Sequence, residues 1–181
     1  MIDENETEKI SKFLSLVLRH KPESIGIVLD DNGWADVSTL IDKVNQTDIS
    51  LNIEKLRYVV ETNKKKRFAF NETLERIRAS QGHSIKIDHG YTSQKPPEIL
   101  YHGSGLKAVD SILKSGIHSG DRLHVHLSAD IETAIKVGQR HGKPVVFKIM
   151  AEEMYGNGFD FFLSENDVWL TGMVPIEFLR R

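Results

Sequence analysis

Residues 53–79 read IEKLRYVVETNKKKRFAFNETLERIRA, and the spacing of apolar side chains changes within this stretch. Ile53, Leu56 and Val59 recur at the spacing of one helix face. From Phe68 onward apolar and polar residues alternate, which is typical of strands. The stretch therefore predicts a helix followed by a β-hairpin.

Two further helices are predicted upstream of this stretch. Between Thr7 and His20 the apolar residues follow helical spacing, and this helix must end before Pro22, because proline cannot continue helical hydrogen bonding. A second helix is predicted from Asp36, whose carboxylate suits the N-cap position, to Val44. Three helices followed by a hairpin is the order of elements in a winged helix, a fold that often presents basic residues to nucleic acid.

The second half of the chain has a different pattern, which predicts a second domain. Residues 91–97 carry no apolar period and end in a double proline, so we expect them to link a domain of residues 1–90 to one of residues 98–181. The strands predicted there are residues 99–101, 123–128, 145–150 and 168–170. A helix that ends at Gly116 and another capped by Asp130 are predicted between them. The predicted fold class is α+β.

Charge is distributed unevenly along the chain. The 24 basic and 26 acidic side chains give a net charge of −2, yet between Thr62 and Ile87 seven basic side chains face only two acidic ones. A basic patch on a neutral protein suits a partner with a few phosphates better than a long duplex. A solvated, charged hairpin is the alternative.

The composition excludes several classes of protein. The chain has no cysteine, so disulfides, zinc ribbons, iron–sulfur clusters and thiolate nucleophiles are excluded. No apolar run approaches the roughly 20 residues that span a bilayer, and the first residues are acidic where a signal peptide is basic. We expect a monomeric cytoplasmic protein with no membrane partner.

Polar side chains lie within one predicted strand and directly after another. Alternation within residues 123–128 places His124, His126 and Ser128 on one face. This face suits a polar pocket for a small molecule, although a metal site with a further histidine, or purely structural histidines, are alternatives. Tyr101–Gly105 is predicted to be a small-residue turn between a strand and a helix, where a ligand can approach the backbone closely.

Five motifs occur in register along the chain: Leu18-Arg19-His20-Lys21-Pro22, Lys66-Arg67-Phe68, residues 78–84, Tyr101-His102-Gly103-Ser104 and residues 122–128. Together they resemble the tRNA 2′-phosphotransferase family, the NAD-dependent RNA 2′-phosphotransferases of the KptA/Tpt type. The resemblance runs from about Ser11 to about Leu179. It implies an N-terminal winged-helix lobe that binds RNA and a C-terminal ADP-ribosyltransferase-like lobe that binds NAD⁺.

The resemblance also implies a reaction and a set of catalytic residues. An internal RNA 2′-phosphate is transferred to NAD⁺ through an ADP-ribosylated intermediate, without a protein nucleophile or a metal. Arg19 and Arg67 would bind the 2′-phosphate with His20 as a further donor, and Arg122 would stabilise the phosphoryl group in the second step. Guanidinium groups suit these roles because they stay charged and donate in pairs.

Binding residues follow from the same resemblance. The implied NAD⁺ contacts are Tyr101, His102, Gly103, Ser104, His126 and Ser128. The implied RNA contacts are Lys64, Lys65, Lys66, Arg78, Gln81 and His83. Two other functions stay open: ADP-ribosylation of other nucleic-acid phosphates or of proteins, and a winged-helix DNA-binding regulator that senses NAD⁺. The neutral net charge counts against the regulator.

Overall fold

The computed structural model describes residues 3–87 and 90–181, which form two compact units on either side of the Gly90–Tyr91 bond. Asp88 and His89, which precede the predicted linker, lie outside the described residues. Each unit mixes helices with antiparallel strands and has its own apolar core. The mixed content is consistent with the predicted α+β class.

Three capped helices build most of the first unit: α1 (Glu4–Arg19), α2 (Val37–Val44) and α3 (Ile53–Glu61). The side chains of Asp3, Asp36 and Asn52 each accept a hydrogen bond from the backbone N–H three residues later, at 2.7 to 2.8 Å. Hydrogen bonds from the backbone N–H of Thr39 and from the hydroxyl of Ser38 lower the pKa of Asp36 to about 2. All three predicted helices are confirmed.

The strands of this unit are β1 (Ala35–Asp36), β2 (Phe68–Phe70) and β3 (Arg76–Ala79). They form an antiparallel sheet in the order β1-β3-β2, in which Phe68 lies opposite Ala79 and Phe70 opposite Ile77. The predicted hairpin is therefore confirmed, whereas β1 was not predicted because two residues carry no readable period. The core is formed by buried side chains of the three helices, the three strands and the segments that connect them.

The second unit contains three helices: α4 (Val109–Ser115), α5 (Ile131–Gly138) and α6 (Ala151–Gly156). Its strands are β4 (Ile99–Gly105), β5 (Ile117–His118), β6 (Val125–Leu127), β7 (Pro144–Met150), β8 (Phe161–Leu163), β9 (Trp169–Thr171), β10 (Met173–Val174) and β11 (Leu179–Arg180). They pair in three antiparallel groups, β11-β7-β4, β6-β9-β8 and β10-β5. A backbone bridge between Tyr101 and Ser128 connects β4 to the residue that follows β6.

The prediction of a turn at residues 101–105 is wrong, because β4 continues to Gly105. Gly103 pairs with Val146 and Gly105 with Pro144 of β7. Gly103 lets the backbone of α5 come unusually close, since a Cβ there would lie 1.7 Å from the carbonyl oxygen of Ala134. Glycine and serine carry no apolar period, so the pattern hid this part of the strand.

The same close packing determines which face of α5 is buried. Asp130 caps this helix as predicted, accepting from the backbone N–H of Thr133 at 2.7 Å. Ala134 and Gly138 are buried, whereas Ile131 and Ile135 are 46% and 36% exposed. Only small side chains fit between α5 and β4, so the large apolar side chains of α5 lie on its exposed face.

Among the described helices, none is both long and apolar enough to cross a bilayer.

Candidate active site

A cleft of about 490 Å³ lies along β4 in the second unit, and we call it the β4 cleft. Four of the predicted NAD⁺ contacts line it: His102, Gly103, Ser104 and His126. Arg122 lines it as well. Tyr101 and Ser128 lie outside this lining and hold β4 in place through reciprocal backbone hydrogen bonds of 2.9 and 2.8 Å.

Arg122 and His126 form a polar pair in the β4 cleft. Arg122 Nη1 lies 3.3 Å from His126 Nδ1. Because a guanidinium only donates, Nδ1 of His126 accepts this hydrogen bond and the neutral ring carries its proton on Nε2. Arg122 itself is exposed, so its remaining donors can reach an anion that enters the cleft.

His102 is held at the same wall by the carbonyl of His126. Its Nδ1 lies 3.1 Å from that oxygen and therefore donates to it. Burial lowers the pKa of His102, although this hydrogen bond opposes the change. Burial also lowers the pKa of His124, whose ring packs edge-on against Phe162. The wall of the cleft is thus neutral around His102, and Arg122 and Lys107 bring positive charge to its lining.

We expect the imidazole of His102 to titrate below its ordinary pKa of about 6.5. As pH falls below that value, the unfolded chain takes up the proton first, so the free energy of unfolding decreases with acidification. NMR titration of the ring protons gives the pKa directly. In His102→Asn, whose amide nitrogen can take the place of Nδ1 and donate to the His126 carbonyl, the acid loss of stability should be smaller. A midpoint above 6.5 would contradict the expectation.

In the first unit, a second group of residues lies around the end of α1, and we call it the Arg19 cluster: Arg19, His20, Arg67 and Ser84. Arg19 Nη2 donates to the carbonyl of Arg67 at 3.4 Å. Ser84 is attached to the same helix end, since its N–H donates to the carbonyl of Arg19 at 3.0 Å and its Oγ lies 2.9 Å from His20 Nδ1. Two of the predicted catalytic residues, Arg19 and His20, are thus neighbours at this helix end, and the side chain of Arg19 contacts the backbone of a third, Arg67.

The backbone around Arg67 is fixed by Ser80. The Ser80 N–H donates to the Arg67 carbonyl at 2.9 Å, and its Oγ donates to the Lys66 carbonyl at 2.8 Å. Lys66 itself has a positive φ of 41°, which non-glycine residues rarely adopt. Arg67 therefore leaves the turn in a defined direction. Arg122 belongs to the second unit, and its joint action with the Arg19 cluster stays a prediction.

The predicted RNA contacts are exposed to different degrees. Lys64, Lys65 and Lys66 are exposed, and Gln81 is half-buried. The guanidinium of Arg78 lies 4.5 Å from the ring centroid of Trp34, a cation–π contact that orients it. His83 is only 1% exposed, so any effect of this residue on RNA acts through the surrounding turn.

Several site residues were not identified from the sequence. Ser84 belongs to the motif of residues 78–84 but was given no role, and its bond to His20 joins residues 64 positions apart, which no local pattern reveals. Lys107 and Asp121 also line the β4 cleft, and no sequence pattern indicated that they belong to this site. The metal alternative has no geometric support in the described part of the chain, where no three histidine or carboxylate residues cluster as metal ligands.

Comparison with known proteins supports the motif-based resemblance. A model of the RNA 2′-phosphotransferase, Tpt1/KptA family matches residues 5–173. A probable RNA 2′-phosphotransferase of Flavobacterium johnsoniae is 53% identical over 178 residues, which is 98% of each chain. Probable RNA 2′-phosphotransferases of Hahella chejuensis and Agrobacterium fabrum are each 52% identical over 93% of this chain and 91% of their own. With a family model that matches most of the chain and relatives more than half identical over nearly its whole length, the chain belongs to the RNA 2′-phosphotransferase, Tpt1/KptA family.

Proposed function

We propose that this protein removes an internal 2′-phosphate from RNA, of the kind left at a tRNA splice junction, by transferring it to NAD⁺. The products are RNA with a 2′-hydroxyl, nicotinamide and ADP-ribose 1″,2″-cyclic phosphate. The observation that carries the proposal is the exposed Arg122, paired with His126 in the β4 cleft of a chain from this family. A transferase acting on RNA is what the family name denotes.

The β4 cleft has the properties that a dinucleotide co-substrate requires. Its volume of about 490 Å³ falls within the usual range of ligand sites. Gly103 and Gly105 present their backbone at this wall, and Ser104 is a polar residue between them. His102 stays neutral there, so it does not repel the positively charged nicotinamide ring. NAD⁺ would bind along this wall.

The first step needs a phosphate oriented for attack. A 2′-phosphate oxygen forms a bond to the anomeric carbon of the nicotinamide ribose, and the bond to nicotinamide breaks with its electron pair. Arg19 and Arg67 would hold the phosphate, because their guanidinium groups stay charged and donate in pairs. His20, oriented through Ser84, would add a further donor.

The second step needs stabilisation of a phosphoryl group in transfer. The ribose 2″-hydroxyl attacks phosphorus, and the bond from phosphorus to the RNA 2′-oxygen breaks. The proton lost by the attacking hydroxyl balances the one gained by the leaving RNA oxygen. Arg122 would stabilise the charge on the phosphoryl oxygens, and preorganised donors of this kind contribute most in the transition state.

The proposal is tested by incubating the protein with a short RNA that carries one internal 2′-phosphate, with and without NAD⁺. We expect conversion to 2′-hydroxyl RNA only with NAD⁺, together with equimolar nicotinamide and the cyclic phosphate. Phosphate loss without NAD⁺ would contradict the proposed co-substrate. Stable ADP-ribose on RNA, DNA or protein with no cyclic phosphate would indicate an ADP-ribosyltransferase instead.

A further inference from the structure

A second cavity, of about 530 Å³, lies in the first unit between α1, the end of α3 and the turn that leads into β2. We call it the α1–α3 groove. Arg67 lines it, and so do the exposed side chains of Lys64 and Lys65. A 2′-phosphate bound to Arg67 would thus lie at the edge of this groove, and the next nucleotide of the same strand would be within its reach.

The basic edge of the groove is preorganised by Asn63. Asn63 Nδ2 donates to Ser11 Oγ of α1 at 3.1 Å. Its Oδ1 accepts from the backbone N–H groups of Lys65 and Arg67 at 3.2 and 3.4 Å. The backbone carbonyl of Asn63 accepts from the N–H of Lys66 at 2.8 Å. Asn63 thus fixes the turn of residues 64–66, which we call the lysine turn, and the backbone of Arg67 against α1.

Tyr58 supplies an aromatic surface in the same groove. It lies in α3, lines the cavity and is 45% exposed. An exposed aromatic ring next to cationic side chains is the combination that single-stranded nucleic acids use for stacking and backbone contact. A paired base in an RNA duplex cannot offer its face in this way, so the groove suits an unpaired nucleotide.

Two carboxylates limit where a phosphate can bind. Glu4 and Glu8 also line the groove, from α1. Lys12 Nζ lies 2.9 Å from Glu8 Oε1, so this negative charge is partly balanced. The acids are on the helix and the lysines on the turn after α3, which directs a phosphate to the lysine turn.

We propose that the α1–α3 groove binds the unpaired nucleotide next to the 2′-phosphorylated one, with its base on Tyr58 and its phosphate at Lys64 and Lys65. This assignment rests on the proposed function, in which Arg67 holds the 2′-phosphate. It makes the preferred substrate a single-stranded RNA segment rather than an isolated 2′-phosphorylated nucleotide.

The test compares kcat/KM for an RNA hexamer with one internal 2′-phosphate and for a 2′-phosphorylated mononucleotide. We expect Tyr58→Ala to lower kcat/KM for the hexamer about 10-fold more than for the mononucleotide, since stacking on one base is lost. Tyr58→Phe keeps the ring and should retain the wild-type preference. Lys65→Ala should reduce the preference in the same direction and flatten the salt dependence of hexamer conversion.

Arg57→Ala is the matched control, because Arg57 precedes Tyr58 on α3, is exposed and is not among the residues that line the groove. Equal losses on both substrates, or an unaltered hexamer preference in Tyr58→Ala, would overturn the proposal while the proposed function stands. If the wild type converts neither substrate, the proposed function fails. In that case, fluorescence anisotropy with an unphosphorylated RNA hexamer tests whether the groove binds RNA. We expect Tyr58→Ala to bind the hexamer about 10-fold more weakly than the wild type, and equal binding would overturn the proposal.

Discussion

Replacing Arg122 with alanine is expected to stop the reaction after its first step, so that ADP-ribosylated RNA accumulates. Arg122 lines the β4 cleft, where one of its nitrogens is 3.3 Å from His126 Nδ1. Its proposed task is to stabilise the phosphoryl group in the second transfer, and the first step does not need it. A donor that acts mainly in the transition state is worth about 100-fold or more in rate.

The measurement is a time course with RNA labelled next to its 2′-phosphate, with intermediate and product separated on a gel. Nicotinamide release should continue in Arg122→Ala while 2′-hydroxyl RNA falls about 100-fold or more. Arg140→Ala serves as the control, since Arg140 is an exposed arginine of the same unit that does not line the β4 cleft. Loss of nicotinamide release without any intermediate would instead give Arg122 a role in NAD⁺ binding or in the first step.

The elements with a clear apolar period were predictable from the sequence. The three helices and the hairpin of the first unit follow such periods, and capping residues such as Asp36 mark where helices begin. The end of β4 and the buried face of α5 were not predictable in this way. Both depend on how closely two backbones approach each other, and the glycines that permit it have no side chain to form a pattern.

The candidate site was predictable as a set of residues but not as an arrangement. The five motifs taken together, which include Arg19, His102 and Arg122, suffice to assign the family, which the comparison confirms. The contacts that orient these side chains join distant parts of the chain, such as Arg19 to the Arg67 carbonyl, 48 residues away. Asn63 shows the same limit, because its side chain connects α1 to the lysine turn and belongs to no motif.

Replacing Gly103 with alanine is expected to be among the most destabilising single changes in the second unit. The added Cβ would lie 1.7 Å from the carbonyl oxygen of Ala134 and 2.9 Å from the backbone nitrogen of Gly138. Both atoms belong to helix backbone, so relief requires α5 to move away from β4 as a whole. Overpacking against side chains costs about 1–3 kcal/mol, and a rigid backbone obstacle should exceed about 3 kcal/mol.

Thermal and urea unfolding of Gly103→Ala test this expectation, with Gly156→Ala as the matched control. Gly156 ends α6, and a Cβ built there has no neighbour within 4 Å, so its replacement should leave the free energy of unfolding within about 1 kcal/mol of wild type. Since β4 also forms a wall of the cleft, any folded fraction of Gly103→Ala should bind NAD⁺ more weakly. Wild-type stability in Gly103→Ala would mean that α5 can shift without cost, and that the glycine serves ligand approach rather than helix packing.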